Sequence, residues 1–218
     1  MIGIIVAMEE ELNSLLRIFK LNKTKELFDI KFLEGKINSK NVVIVKCGIG
    51  KVNAARTAQI MIDNYKLDYI INVGVAGGLK DSKIGDLIVG EKLVQHDFDL
   101  TKFNHELGYI SDIGVYIASS KELVDKCVKL GIKKGVIASG DIFVTDLDYS
   151  KMLEEKFDCD AVEMEGAAIA QVCYLSNIDF VVIRSISDNP NHDNQVDFEK
   201  FLSSSSDKMA NFISKLVK

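Results

Sequence analysis

Six short runs are built almost wholly from apolar residues, rich in isoleucine and valine: residues 2–6, 42–46, 69–73, 87–89, 135–138 and 180–184. A strand with one wet face alternates apolar and polar residues, so an unbroken run needs cover on both faces. Residues 28–35 alternate instead and read as an antiparallel strand. Between the runs lie helical spacings. Residues 51–66 place Ala55, Ala58, Ile62 and Tyr65 on one stripe, and residues 163–176 place Met164, Ala168 and Val172 four apart. Residues 197–217 carry Phe198, Phe201, Leu202, Met209, Phe212, Ile213 and Leu216 at helical spacing. Strands alternating with helices define an α/β fold. The expectation is one αβα domain over residues 1–218, three layers around a central mixed, twisted sheet. The Ser203–Ser206 run falls inside the last helix and reads as a solvated face.

Charge narrows the partners. The chain has 27 basic and 32 acidic residues, a net −5, and no basic block, which argues against nucleic acid and anionic membrane. Only three of the basic residues are arginines: Arg17, Arg56 and Arg184. Cys47, Cys127, Cys159 and Cys173 form no CxxC pair and read as reduced, small hydrophobes. Residues 1–7 are apolar but lack a basic leader and run into Glu9, Glu10 and Glu11, so they are not read as a signal peptide. No apolar run approaches the roughly 18 residues of a membrane span. A cytoplasmic protein is expected.

Ligands of open α/β sheets bind beyond the carboxyl ends of the strands. In order, those ends are followed by AMEEEL, CGIGKV, GVAGGL, SGDIFVTD, EMEGAA and SISDNPN. Taken alone, each has a plain reading. The glutamates at 9–11, 163 and 165 suit helix first turns, the glycines suit tight turns, and Asp188 suits a turn before Asn189-Pro190. Arg184 resists a plain reading, because it ends the apolar run FVVI, where an unpaired charge costs several kcal/mol. Its candidate partners are Glu11 and Glu165. The convergence of acids at several strand ends points to acid/base chemistry.

Taken together the motifs resemble the 5′-methylthioadenosine/S-adenosylhomocysteine nucleosidases of the nucleoside phosphorylase/hydrolase superfamily. The matching segments are GIIVAMEEEL, GIGKVNAA, INVGVAGGL, IGDLIVGE, HDFDLTKF, ASGDIFV, VEMEGAAIAQVC, IRSISD and DFEKFL, spread over nearly the whole chain. The resemblance implies hydrolysis of the adenine N-glycosidic bond of 5′-methylthioadenosine and S-adenosylhomocysteine, with 5′-deoxyadenosine a further candidate substrate, in methionine salvage and S-adenosylmethionine recycling, with no cofactor and no metal. It implies Asp188 as the acid that protonates adenine N7 and Glu11 as the base for the attacking water. It implies that Arg184 helps hold that water, that Glu165 accepts from the ribose hydroxyls, and that Met164 packs beneath the sugar. Ser187 then orients Asp188, Phe143 stacks on the purine and the Val144 backbone reads its edge. Met8, Ile49, Ala76 and Phe198 line the pocket, and Gly77 and Glu163 complete the substrate-binding set. A homodimer is also implied, with Phe103 and His105 closing the neighbouring subunit's pocket.

Two positions depart from the family pattern. Val75 stands where these enzymes usually have serine, and His105 where they usually have an aromatic residue. Both bear on substrate preference, and neither removes an acid or base. Competing readings are a phosphate-dependent purine nucleoside phosphorylase, a nucleosidase for another adenosine-like substrate such as aminofutalosine, and a binding domain without turnover. A phosphorylase wants several cationic donors for phosphate, which this sequence does not place at the strand ends.

Overall fold

Each apolar run becomes a strand of one mixed sheet. The computed structural model describes residues 1–190 and 194–218, so Asn191 of the SISDNPN segment lies outside the described residues. The strands are β1 (Ile2–Val6), β2 (Phe19–Leu27), β3 (Ile30–Ile37), β4 (Lys40–Lys46), β5 (Tyr69–Gly78), β6 (Leu87–Gln95), β7 (Ile117–Ala118), β8 (Lys133–Ser139), β9 (Ala161–Glu163) and β10 (Phe180–Asp188). The helices are α1 (Glu9–Leu16), α2 (Lys51–Asn64), α3 (Lys121–Lys129), α4 (Leu147–Phe157), α5 (Gly166–Leu175) and α6 (Asn194–Leu216).

β1 lies parallel between β4 and β5, with Ile4 opposite Ile44 on one side and Ile71 on the other. β10 runs parallel to β5 and antiparallel to β6, and β6, β8 and β9 follow in parallel. β9 then pairs antiparallel with the end of β5, Val162 opposite Gly77. These five strands therefore close into a ring, while β1, β4, β3 and β2 extend from it as an open sheet. Closure gathers Gly77, Ser139, Glu163 and Asp188 at one end, because Gly77 faces both Val162 and Asp188, and Ser139 faces Glu163.

The unbroken apolar runs have a direct cause. Ile4, Ile44, Ile71 and Ile183 pack against Leu15 of α1, Leu123 of α3, and Met209, Phe212, Ile213 and Leu216 of α6. Their neighbours Ile5, Val43, Val45, Ile70 and Val182 face the other way, onto Ala54, Ala58 and Met61 of α2 and Ala168 and Ile169 of α5. Helices thus cover both faces, and each fully buried Val, Leu or Ile contributes about 1.5–3 kcal/mol of transfer free energy. A third cluster sets Leu153 and Phe157 of α4 against Val94, Ala138 and Val162.

Several expectations change. The alternating strand begins at Ile30, because Phe28 and Asp29 form the turn of a β2–β3 hairpin with φ of 50° and 65°. The α2 stripe is Ala54, Thr57, Ala58 and Met61; Ala55, Ile62 and Tyr65 lie at its margin. In the serine run only Ser203 and Ser204 are exposed. Ser205 and Ser206 are buried, and Ser205 donates to the Ile186 carbonyl at 3.2 Å. GVAGGL is largely strand, since β5 continues through Gly78, and Asp188 closes β10 instead of starting a turn. No helix among the described residues is long and apolar enough to cross a membrane.

Candidate active site

The gathered strand ends frame a cleft of about 600 Å³, counting its open mouth. Met8, Glu11, Ile49, Ala76, Gly77, Phe143, Val144, Glu163, Met164, Glu165, Ser187, Asp188 and Phe198 all line it, as does Val75. Ala7, Ile142 and Val162 also line it. Sequence reading passed over these three because their apolar side chains carry no chemical signal.

Glu11 sits in the first turn of α1, after Glu9 and Glu10, which stay exposed. One carboxylate oxygen accepts from the Ala7 and Met8 N–H groups at 2.9 and 3.0 Å, and the other accepts from Val75 N–H at 3.0 Å. Burial pushes the Glu11 carboxyl up, while these N–H groups and the Arg184 charge pull it down. Gly74 makes the approach possible. A Cβ there would stand 2.8 Å from the Glu11 Oε1 and 3.5 Å from the Arg184 Cζ.

Asp188 is buried at the end of β10, and burial raises its pKa to about 6. The Ser187 hydroxyl donates to its Oδ1 at 2.7 Å and opposes the rise. A carboxyl titrating near neutrality is suited to proton donation.

Arg184 is paired, but with neither predicted partner. Its Nε and Nη2 donate to Glu163. Glu163 lies on β9, outside α5, and also accepts from Ser139 Oγ, Glu165 N–H and Gly166 N–H. Its carboxylate is thus drawn toward the start of α5 and onto the guanidinium. Loss of one partner from such a buried pair costs about 3–5 kcal/mol. Glu165 stands just before α5 and accepts from Gly50 N–H at 2.8 Å. Burial and the nearby Glu163 charge raise its pKa. Gly50 starts α2 with φ of 99°, a conformation suited to glycine.

Phe143 and Phe198 meet edge to face at 5.7 Å on the apolar side of the cleft. Arg184, Phe103 and His105 do not line it. Arg184 lies behind it, 1% exposed. Phe103 is 74% exposed on a single turn at Thr101–Phe103, and His105 stacks on Tyr109 at 4.4 Å. Of the apolar residues in that region, Phe98 and Leu107 pack on the chain's own core.

A mixed sheet closed at one end, with a carboxylate-lined cleft at that closure, is the frame of a large enzyme family. A family model described as the phosphorylase superfamily matches residues 1–218, and the chain belongs to that family. Within it, the chain is similar to 5′-methylthioadenosine/S-adenosylhomocysteine nucleosidases. The protein of that name from Shewanella loihica is 40% identical over 210 residues, covering 92% of this chain and 91% of its own. The Helicobacter pylori nucleosidase, solved in complex with a substituted pyrrolidin-3-ol, is 37% identical with a TM-score of 0.95, covering 99% of this chain and 97% of that one. A structure called futalosine hydrolase, also from Helicobacter pylori, matches at 37% identity and a TM-score of 0.95, covering 99% and 96% of the two chains.

Proposed function

We propose that the chain hydrolyses the N-glycosidic bond of 5′-methylthioadenosine and S-adenosylhomocysteine, releasing adenine. The observation that carries this reading is the charge of the cleft. Among the described residues its lining holds four carboxyl side chains, Glu11, Glu163, Glu165 and Asp188, and no lysine or arginine. Phosphate would meet repulsion there, whereas water meets candidate bases and the leaving base meets an acid.

In this mechanism Asp188 gives its proton to adenine N7 as the C1′–N9 bond breaks, and the bonding electrons leave with the base. Positive charge develops on the ribose near C1′. Glu11 takes a proton from the water whose oxygen bonds to C1′. Glu165 accepts from the ribose hydroxyls, and Met164 supports the sugar. Phe143 covers the purine face and the Val144 backbone meets its edge. Arg184 and Glu163 hold the buried charges in register.

We further read the enzyme as one domain over residues 1–218 that works as a cytoplasmic homodimer, with Phe103 and His105 lent to the neighbouring site. The four free cysteines suit a reducing compartment. The exposed Phe103, Ile49 and Val52 suit burial by a partner. A second reading, a futalosine-type substrate, is supported by the Helicobacter pylori neighbours, which carry both names at the same TM-score of 0.95.

Replacing the acid and the base separately tests the mechanism. Asp188→Asn is expected to lower kcat by about 10²–10⁴-fold, the usual worth of general acid catalysis. Glu11→Gln is expected to abolish hydrolysis while an adenosine-like inhibitor still binds. Near-parental kcat in either variant refutes that residue's role.

A further inference from the structure

Asn72 lies on β5, two residues before Gly74, and is 2% exposed. Its Oδ1 accepts from Arg184 Nη2 at 2.6 Å, and its Nδ2 donates to the Ile5 carbonyl on β1 at 3.0 Å. The second bond fixes which way the amide faces, since only nitrogen can donate to a carbonyl. Asn72 also offers its own carbonyl to Arg184 Nη1 at 3.5 Å, beside the Ile183 carbonyl at 3.0 Å. Glu163 takes Nε and Nη2 from the other side. The guanidinium is therefore gripped by a carboxylate at one edge and an amide at the other. Gly74, the next residue on the same face of β5, leaves the gap where Glu11 and Arg184 approach.

We propose that Asn72 is a positioning residue that holds the plane of Arg184 beside Glu11 and Glu165 through its side-chain oxygen. Without the Asn72 side chain, Glu163 holds Nε and Nη2 and the backbone carbonyls hold Nη1, but no side chain fixes the edge of the guanidinium that faces β1. The amide, anchored on β1, closes that edge. The strand that carries the Val75 N–H to Glu11 thus also sets the arginine behind the cleft. Asn72 is not among the residues that line the cleft, so its effect reaches the reaction through Arg184.

The inference rests on the nucleosidase reading, and adenine release by the unsubstituted protein tests that reading separately. Steady-state kinetics of Asn72→Ala and Asn72→Asp on methylthioadenosine, with circular dichroism as a check of folding, test the inference. Asn72→Ala is expected to lower kcat about 10–100-fold with KM within about threefold, as misplacement of a catalytic constellation does. Asn72→Asp keeps the acceptor for Nη2 but loses the donor to the Ile5 carbonyl, and is expected to regain part of that loss. Three results overturn the proposal: a folded Asn72→Ala with kcat within twofold of the parent, an Asn72→Asp no better than the alanine, or a change confined to KM. If Asn72→Ala is insoluble, Asn72→Ser replaces it with the same outcomes. Failure of all three variants to fold assigns Asn72 a purely structural role and also overturns the proposal.

Discussion

The hydroxyl of Ser187 donates to Oδ1 of Asp188 at 2.7 Å, so each acts on the other's chemistry from the next position on β10. The hydroxyl stabilises the anion and draws the Asp188 pKa down, against the burial that lifts it to about 6. In Ser187→Ala that opposing pull is gone, so the Asp188 pKa rises further. The acid then stays protonated to higher pH. The alkaline limb of kcat/KM is expected to move upward. A pH–rate profile of the two enzymes checks this, and an unmoved or downward-shifted limb contradicts it.

Gly74 gives a steric test. Its backbone is ordinary strand, and an added methyl would lie 2.8 Å from the Glu11 carboxylate. Gly74→Ala is expected to displace Glu11 and lower kcat by about 10²-fold, the cost of a displacement near 1 Å. Adenine release by the folded variant measures it, and parental kcat would show that Glu11 tolerates the shift.

Val75 departs from the family pattern, yet its contact with Glu11 uses the backbone N–H, which any residue but proline supplies. Val75→Ser is therefore expected to change kcat and KM by less than about tenfold, because the carboxylates carry the chemistry. A change of two orders of magnitude in either constant would contradict this.

Much of this fold was legible because its central strands are buried on both faces. Ile4 and Ile5 serve opposite cores, so their run could not read as anything exposed. β2 was passed over for the opposite reason. It is a mostly exposed outer strand, FKLNKTKEL, in which only Phe19 is buried. The strand portions after Val73 and Arg184 were also passed over. Glycines and polar residues there resemble turns, and ring closure, a non-local event, keeps them extended. Most of the residues that line the cleft were legible through their motifs. The pairing of Arg184 with Glu163 was not, because residues 184 and 163 meet only when β8 and β9 complete the ring. Asn72 sat inside INVGVAGGL without a charge to mark it.

Assembly has its own test. With Phe103 at 74% exposure, a partner is expected to bury it. Sedimentation is expected to give twice the 24.2 kDa of one chain. Phe103→Ala is expected to raise KM more than it lowers kcat, as loss of uniform binding does. A fully active monomer, or an unchanged KM for methylthioadenosine, contradicts the borrowed pocket.

The nucleophile decides the central claim. Purified protein is incubated with methylthioadenosine in phosphate-free buffer and again with added phosphate, and both products are quantified. Hydrolysis in a carboxylate-lined cleft predicts equal adenine release in the two conditions, with free methylthioribose as the partner product. Adenine release that requires phosphate and yields a ribose 1-phosphate would contradict it, as would the absence of adenine in both.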